Sequence, residues 1–222
     1  MTKNFQLPED INVWDAENVF YLKGHPSRLA KLLAHYELYQ EIVGIPGAVV
    51  ECGVYKGASL ARFASFRDVL ENNDSRTIYG LDAFGAFPTK GVKSKADKDF
   101  IDKFESAGGA GISKEALAKA LSAKGFSNVE LIKGDVFNTI PAMLERLPQL
   151  RIALLHLDMD VYEPTRFAID KFRPHMTPGG LIVFDDYNSV EGATRAADEL
   201  CREHGLQPEK LPFYNVPAFV RV

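Results

Sequence analysis

The sequence predicts an α/β protein built on a doubly wound, mostly parallel β-sheet. Five short apolar runs lie along the chain, and the segments between most of them carry apolar residues at helical spacing. The runs are almost continuously apolar rather than alternating, which is typical of strands buried on both faces of a parallel sheet. Repeated alternation of strands and helices places helices on both sides of such a sheet through right-handed crossovers.

The runs and the helical repeats define the predicted elements in order. The predicted strands occupy residues 47–53, 77–82, 129–135, 151–158 and 180–186. Apolar residues at helical spacing predict a helix after the first, third, fourth and fifth strands. Pro141 and Pro164 should open two of these helices, because proline suits a first turn, and Gly205 should cap the last helix.

The segments outside this alternation complete one predicted domain, residues 1–222. Residues 1–45 form an N-terminal helical segment. The apolar face expected in its helix consists of Leu29, Leu32, Leu33, Tyr36 and Tyr39. The tail, residues 211–222, should form a final strand at an edge or in a hairpin, because Pro212 and Pro217 cannot donate to a central ladder.

Residues 84–127, after the second strand, are too long for a single crossover helix. They include a glycine-containing stretch, residues 107–111, and a predicted helix over residues 113–124. Loops at the carboxyl edge of such a sheet commonly cover ligands. We therefore expect a lid-like insertion, with a surface elaboration as the alternative.

Composition and charge exclude several classes of protein. The chain has 26 Lys and Arg against 30 Asp and Glu, a net charge of −4, which gives no reason to expect a nucleic acid or an anionic membrane as partner. No apolar run approaches the ~20 residues of a membrane span, and the start is too polar for a signal peptide. Two cysteines, Cys52 and Cys201, cannot build a disulfide framework, so a cytoplasmic location is expected.

Acidic residues stand at the end of every predicted strand. They are Glu51, Asp82, Asp135, Asp158 with Asp160, and Asp185 with Asp186. In an open parallel sheet these ends line one edge, where ligands bind. One acid after a strand is usually a helix cap, but this many converging carboxylates would repel one another and raise their pKa values. The pattern predicts a cation, a hydroxyl-rich ligand, or both at this edge.

The turn after the first strand reads Glu51-Cys-Gly53-Val-Tyr55-Lys-Gly57-Ala-Ser59. Its two glycines allow the backbone to approach a ligand closely, but their spacing is not the G-x-G-x-x-G of dinucleotide-binding proteins. A carboxylate at Glu51 suits an amino group or a sulfonium rather than a pyrophosphate. These residues, including Tyr55 and Ser59, are therefore candidates for binding a cationic cofactor.

The next two strand ends suit a nucleoside. Asp82 is placed to accept hydrogen bonds from two ribose hydroxyls. Asp135, with Val136 and Phe137, could hold an adenine by its exocyclic amine and its ring faces. Combined with the turn after the first strand, these residues describe an adenosine-containing cation, and S-adenosylmethionine fits that description.

The fourth and fifth strand ends predict a metal site. Asp158 and Asp160 are two residues apart, so an extended backbone would point both side chains to one side, next to Asp185 and Asp186. Carboxylates with no clustered cysteine or histidine favour Mg²⁺, Mn²⁺ or Ca²⁺ over zinc. His156 lies inside the strand and is interpreted as a hydrogen-bonded core residue rather than a ligand.

Four segments, ECGVYKGAS, GLDAFGAFP, LLHLDMDVYEPT and GGLIVFDDY, resemble the macrocin O-methyltransferase family over residues 49–200. The resemblance implies a Rossmann-like class I methyltransferase fold and metal-assisted methylation of a sugar hydroxyl, with S-adenosylmethionine and Mg²⁺ or Mn²⁺. It also implies that Asp158, Asp185 and Asp186 hold the metal and that Asp160 is the base. The acceptor is expected to be a small hydroxylated molecule, and a homo-oligomer stays open.

The chain departs from the family pattern in a short N-terminal portion and in a candidate lid that carries no histidine. A phosphohydrolase of the haloacid dehalogenase type is the first alternative, but its D-x-D should follow the first strand, whereas here it comes at residue 158. A nicotinamide oxidoreductase is disfavoured by the missing glycine motif. A catalytically silent binding protein would have little use for both a metal site and a cofactor edge.

Overall fold

A seven-stranded sheet forms the centre of the molecule. The computed structural model describes residues 4–89 and 91–222. The strands are β1 (Ala48–Cys52), β2 (Ile78–Asp82), β3 (Val129–Lys133), β4 (Ile152–Leu157), β5 (Met176–Phe184), β6 (Glu209–Lys210) and β7 (Ala218–Arg221). Their order is β3-β2-β1-β4-β5-β7-β6. The first five run parallel, and β7 pairs antiparallel with β5 and with β6.

Helices cover both faces of the sheet, as expected of a doubly wound fold. They are α1 (Val13–Lys23), α2 (Pro26–Ile42), α3 (Ala58–Leu70), α4 (Lys95–Gly108), α5 (Lys114–Ala123), α6 (Val136–Arg146), α7 (Tyr162–Phe172) and α8 (Glu191–His204). Alternate strand residues point to opposite faces, so Val50 and Leu155 pack toward α6, α7 and α8, whereas Val49 and Leu154 pack toward α2, α3 and α5.

The predicted strands are confirmed, with one difference in length, because β5 begins at Met176 rather than at residue 180. The tail forms β7, which lies between β5 and the edge strand β6 and pairs antiparallel with β6, so the hairpin alternative of the prediction is confirmed. Pro164 lies in the first turn of α7, and Gly205 caps α8 in the left-handed conformation with φ 65°. Among the described residues, no helix combines the length and apolar character needed to span a bilayer.

The predicted start of α6 at Pro141 is wrong. The helix begins at Val136, because the Asp135 side chain accepts a hydrogen bond from the Phe137 amide at 3.0 Å and caps the helix as soon as β3 ends. Pro141 therefore lies inside the helix rather than in its first turn.

The predicted apolar face of α2 is wrong in part. Tyr39 is buried as predicted, but Leu29 and Leu33 are exposed, and the buried side also carries Ala34, His35, Leu38 and Ile42. Helix α1 has no buried residue. Nine of the twelve exposed large apolar side chains in the described part of the chain lie between residues 7 and 33. One side of α2 thus packs against the core, and the N-terminal segment exposes an apolar surface formed by residues 7–33.

The insertion after β2 contains α4 and α5. The predicted helix over residues 113–124 is confirmed, with the Ser113 side chain accepting from the Ala116 amide at 3.1 Å. The C-terminal end of α4 lies against the turn after β1, where the Phe104 and Tyr55 ring centroids are 5.0 Å apart. The Tyr55 hydroxyl donates to the Gly108 carbonyl at 2.6 Å. The insertion therefore stands over the carboxyl edge of the sheet.

Gly53 joins the ends of β1 and β4. Its φ is +92°, and a Cβ atom there would lie 1.8 Å from the carbonyl oxygen of Asp158. Gly125, just after α5, also has a positive φ, +77°, but a Cβ atom there would meet nothing within 4 Å. A substitution at Gly125 therefore tests only the cost of the positive φ. A substitution at Gly53 tests the same cost and, in addition, the clash with the carbonyl oxygen of Asp158.

We predict that Gly53→Ala lowers the free energy of unfolding far more than Gly125→Ala. The left-handed backbone alone should cost about 1–2 kcal/mol in Gly125→Ala. The added clash should bring the cost in Gly53→Ala to about 3 kcal/mol or more. Urea-induced unfolding measures both. Equal costs for the two substitutions would show that the strand ends do not constrain residue 53.

Candidate active site

A cleft opens at the carboxyl ends of the parallel strands. It holds about 820 Å³ of empty space, including its open mouth. Five of the predicted cofactor-binding residues line it: Gly53, Tyr55, Asp82, Asp135 and Val136. Asp158 and Asp160 also reach this cleft. Phe87, Phe104 and Glu105, from the insertion after β2, form part of its wall.

Three of the predicted cofactor-binding residues have other surroundings. Gly57 caps α3, and a Cβ atom there would lie 2.6 Å from the Leu117 side chain, so packing against α5 requires this glycine. Ser59 is buried in the first turn of α3. Glu51 is fully buried and contacts His156 at 3.1 Å rather than lining the cleft. The structure therefore does not bring these side chains to the cleft.

Asp82 organises the turn after β1. One carboxylate oxygen accepts from the amides of Val54 and Tyr55 at 2.7 and 3.0 Å, and the other accepts from the Phe84 amide at 2.5 Å. A carboxylate offers about four acceptor positions, so most of its capacity is used by the backbone. Asp82 therefore shapes the cleft, a role that the sequence pattern did not indicate. Few of its acceptor positions are left for the hydroxyls of a ribose.

Asp158, Asp185 and Asp186 form the predicted acidic cluster. Each offers a carboxylate oxygen, and these oxygens all lie within 4.8 Å of one another. One oxygen of Asp186 is buried and has no hydrogen-bond partner in the described part of the chain. Carboxylates in this arrangement suit a hard divalent cation. The residues present therefore fit Mg²⁺ or Mn²⁺.

Asp160 lies near this cluster, but the strand alternation that was predicted to place it there is not the reason. Strand β4 ends at Leu157, so Asp158 and Asp160 lie in the turn that follows it. Asp160 has a left-handed backbone with φ 61°, and its carbonyl accepts from the Ala193 amide at 3.2 Å. Its carboxyl group is close enough to Asp186 for the two groups to shift each other's pKa. The turn, rather than an extended strand, directs Asp160 toward the cluster.

Lys31 was not predicted from the sequence. Its ammonium group contacts one carboxylate oxygen of Asp185, and its side chain is 21% exposed. Burial lowers the pKa of Lys31, but the negative charges of Asp185, Asp158 and Asp186 outweigh it and raise the pKa overall. Helix α2 thus brings a cation to the acidic cluster. Nothing in the sequence distinguishes this lysine from the other lysines of the chain.

Two histidines lie on the other side of Asp185. His156 is fully buried, as predicted, and its ring nitrogens contact Glu51 at 3.1 Å and Asp185 at 3.3 Å. His35, also fully buried, lies 3.5 Å from the same Asp185 oxygen. The expectation that no histidines cluster near the carboxylates is therefore wrong. Sequence spacing could not show it, because His35 comes from α2 and His156 from β4.

The histidines differ in protonation. Burial lowers the pKa of His156, but its hydrogen bonds to Asp185 and Glu51 outweigh burial and raise the pKa to about 10. Burial dominates at His35 and lowers its pKa to about 4. Despite burial, the contacts with His156, His35 and Lys31 hold the pKa of Asp185 well below its usual range. Asp185 is therefore the ionised member of the cluster near neutral pH.

The other three carboxyl groups hold protons more tightly than usual. Burial, then the charges of Asp185 and Asp186, raise the pKa of Asp158 well above its ordinary value. Burial and neighbouring carboxylates also raise the pKa of Asp160 to about 7 and that of Asp186 to about 8. A divalent cation would relieve this repulsion by favouring the ionised forms.

The fold and the cleft define a domain of the class I methyltransferase type. A family model described as macrocin-O-methyltransferase (TylF) matches residues 25–216, and the chain belongs to this family. This membership decides against the haloacid dehalogenase and nicotinamide oxidoreductase interpretations. It also confirms the resemblance carried by the four sequence segments.

Two curated relatives are similar to most of this chain. The 8-demethyl-8-(2,3-dimethoxy-alpha-L-rhamnosyl)-tetracenomycin-C 4'-O-methyltransferase of Streptomyces olivaceus is 30% identical over 167 residues, 73% of this chain and 61% of the relative. Mycinamicin III 3''-O-methyltransferase of Micromonospora griseorubida is 28% identical over 172 residues, 75% of this chain and 65% of the relative. The matches thus span less than two thirds of the length of either relative.

Solved structures agree with this assignment. The calicheamicin methyltransferase CalS11 superposes with a TM-score of 0.80 at 29% identity, covering 96% of this chain and 86% of that one. The O-methyltransferase NovP gives a TM-score of 0.74 at 20% identity, covering 86% of this chain and 78% of that one, and supports the fold alone.

We predict that Asp82→Ala weakens the binding of S-adenosylhomocysteine and lowers stability, because three backbone amides lose their acceptor. The loss of stability should be about 1.5–3 kcal/mol, as for hydrogen bonds to a charged group, and the affinity should fall because the turn that lines the cleft is no longer held. Calorimetric titration measures the affinity. Ser113→Ala is the matched control, because it removes a side-chain acceptor from a helix cap outside the cleft at about 1 kcal/mol of stability. Unchanged affinity in Asp82→Ala would contradict this role.

We predict that Mg²⁺ stabilises the protein more at about pH 8.5 than at about pH 6, because Asp158 and Asp186 must lose protons to bind the ion. In the folded protein the pKa of Asp186 is about 8 and that of Asp158 is raised well above its ordinary value, so both exceed the unfolded value. Their repulsion therefore costs stability increasingly as pH rises through this range, and the cation removes that cost. Thermal unfolding of chelator-treated protein with and without Mg²⁺ measures the difference. An increment that is equal at both pH values would contradict the prediction.

Proposed function

We propose that this chain is an S-adenosylmethionine-dependent, divalent-metal-assisted O-methyltransferase that acts on a hydroxyl of a sugar or another small polyhydroxylated molecule. The observation that carries the proposal is the cluster of Asp158, Asp185 and Asp186 beside the cleft. A donor cleft and a cluster of oxygen ligands at one sheet edge suit methyl transfer to a hydroxyl. The name of the tetracenomycin enzyme specifies a rhamnosyl group, which supports a sugar as acceptor.

The methyl donor would occupy the cleft between the turn after β1 and α6. Asp82 holds that turn, and the missing Cβ of Gly53 leaves the backbone free to approach both β4 and the donor. Asp135, Val136 and Phe137 would enclose the adenine. In this proposal Glu51, Gly57 and Ser59 support the turn and its surroundings rather than contacting the donor.

Asp158, Asp185 and Asp186 would hold Mg²⁺ or Mn²⁺. When bound, such an ion polarises the acceptor hydroxyl and lowers its pKa. Asp160 would accept the hydroxyl proton while the acceptor oxygen attacks the methyl carbon of the donor. The electrons of the breaking carbon–sulfur bond pass to sulfur, and S-adenosylhomocysteine leaves. A carboxylate is a weak base for an alcohol, and the raised pKa of Asp160 brings it closer to the required range.

Residues 84–127 would act as the cover of this site. The Gly108 carbonyl accepts hydrogen bonds from the Tyr55 hydroxyl at 2.6 Å and the Lys56 ammonium at 2.8 Å, so the C-terminal end of α4 is tied to the turn after β1. The Glu105 carboxylate accepts from the Phe87 amide at 2.7 Å. These contacts would exclude water from the donor, which favours methyl transfer over side reactions.

The proposal implies a small-molecule acceptor, with neither nucleic acid nor membrane as partner, and a cytoplasmic location. The net charge of −4 is consistent with the first two expectations. The exposed apolar surface of residues 7–33 makes a homo-oligomer a reasonable expectation, with one domain over residues 1–222 in each copy.

We predict that S-adenosylhomocysteine binds the protein in a calorimetric titration and that Mg²⁺ binds to the resulting complex. Asp185→Asn and Asp186→Asn should remove Mg²⁺ binding and retain S-adenosylhomocysteine binding, because these side chains belong to the acidic cluster. Absence of S-adenosylhomocysteine binding would contradict the methyltransferase proposal itself. Binding of S-adenosylhomocysteine without any binding of Mg²⁺ would contradict the metal-assisted form of it.

We predict different defects for Asp160→Asn and Asp158→Asn. Asp160→Asn should retain most of the Mg²⁺ affinity and lose methyl transfer by about 10²–10⁴-fold, the usual contribution of a general base. Asp158→Asn should lose both Mg²⁺ binding and methyl transfer. Titrations with Mg²⁺ and turnover with a permissive sugar acceptor measure the two effects. Equal loss of Mg²⁺ binding in both variants would show that Asp160 is a ligand instead of the base.

A further inference from the structure

Asp185 is held from two sides by buried cationic or polar groups. One carboxylate oxygen contacts the ammonium of Lys31. The other lies 3.3 Å from Nε2 of His156 and 3.5 Å from Nε2 of His35. Asp185 itself is 2% exposed. The three surrounding side chains therefore determine which way this carboxylate faces.

A hydrogen-bonded chain crosses three neighbouring strands to reach Asp185. Glu51 of β1 is the register partner of His156 of β4, and His156 is the register partner of Val183 of β5. Asp185 comes two residues after Val183, so it emerges on the same face of the sheet. The distances along the chain are 3.1 Å from Glu51 to His156 Nδ1 and 3.3 Å from His156 Nε2 to Asp185.

The two contacts of His156 assign its donors. A carboxylate can only accept, so with Glu51 and Asp185 as carboxylates each ring nitrogen of His156 donates. Two such bonds fix the imidazole ring in its plane. Glu51 is fully buried, and one of its oxygens has no other partner among the described residues, so the contact with His156 is what the structure gives this carboxylate.

We propose that His156, oriented by Glu51, is a positioning residue that fixes the carboxylate of Asp185 for binding the metal ion. This inference rests on the proposed function, because it assigns a role to a residue behind the metal ligands. Groups that orient ligands in this way typically contribute about 10–100-fold in metal affinity. His156 touches neither the donor cleft nor the acidic cluster apart from Asp185, so its effect should appear in metal binding before it appears in donor binding.

Two isosteric substitutions test the proposal. The side-chain amide nitrogen of glutamine can occupy the place of His156 Nε2, whereas that of asparagine can occupy only the place of Nδ1. His156→Gln therefore keeps the donor to Asp185, and His156→Asn loses it. Mg²⁺ affinity is measured by calorimetric titration in the presence of S-adenosylhomocysteine. His175→Asn, the same change at a histidine whose Nδ1 contacts the Leu150 carbonyl away from the site, is the matched control.

We expect His156→Asn to weaken Mg²⁺ binding by about 10–100-fold. His156→Gln and His175→Asn should stay within about threefold of wild type, because the donor to Asp185 is kept. S-adenosylhomocysteine affinity measured without Mg²⁺ should be the same in all four proteins. If His156→Asn does not fold, Glu51→Gln takes its place, and a several-fold loss of Mg²⁺ affinity is expected because the ring loses its charged acceptor.

Four outcomes would overturn the positioning role. Unchanged Mg²⁺ affinity in both His156 variants, with wild type responding normally, would leave the proposed function intact and remove only this inference. Equal losses of Mg²⁺ affinity in His156→Gln and His156→Asn would indicate that His156 acts only through its packing. Zinc or iron that copurifies stoichiometrically, and is lost in His35→Ala and His156→Gln, would make the histidines ligands instead. Absence of Mg²⁺ binding in wild type would overturn this inference together with the metal-assisted function.

Discussion

The repulsion among carboxylates at the ends of β4 and β5 is the constraint on which the rest of the structure depends. A parallel sheet directs every strand end to one edge, so the acids that follow those strands are brought together by the fold. Asp158, Asp185 and Asp186 converge within 4.8 Å, which is stable only with compensating charge nearby. Lys31 and His156 supply part of that charge. Helix α2 brings Lys31 and His35 to this edge, and the same helix buries Leu38, Tyr39 and Ile42 in the core.

The cleft and the acidic cluster are connected through the backbone. Gly53, at the start of the donor turn, lies against the carbonyl of Asp158, and the Asp158 amide donates to the Cys52 carbonyl at 2.9 Å. Asp82 holds the same turn from the other side. One junction of three strands thus sets both the turn that lines the cleft and the position of Asp158, a proposed metal ligand. Such a junction suits a reaction in which donor and acceptor must be aligned within a fraction of an ångström.

The sequence predicts the sheet and the residues at its edge because both depend on local patterns. Apolar runs bounded by acids identify β1 to β5 and place Asp158, Asp160, Asp185 and Asp186 at one end without knowledge of tertiary contacts.

The predictions that are wrong depend on contacts between elements that are distant in the sequence. Leu29 and Leu33 of α2 look like core residues by periodicity, but they are exposed, because the helix turns its other side toward the sheet. Glu51 looks like a ligand for the cofactor, but its strand position turns it toward His156. Pro141 looks like a helix start, but the cap at Asp135 begins the helix earlier.

The most direct test of this account is a crystal structure of the protein with S-adenosylhomocysteine and Mn²⁺, in which anomalous scattering locates the ion. The account predicts a single strong peak at about 2.2 Å from oxygens of Asp158, Asp185 and Asp186, since hard divalent cations bind carboxylate oxygen at such distances. It also predicts that the Lys31 ammonium has left the Asp185 oxygen that the ion occupies, and that Asp160 stays outside the coordination shell, facing the acceptor side. No peak at these carboxylates, with Lys31 still on Asp185 and the donor site filled, would contradict the claim that the acidic cluster is a metal centre.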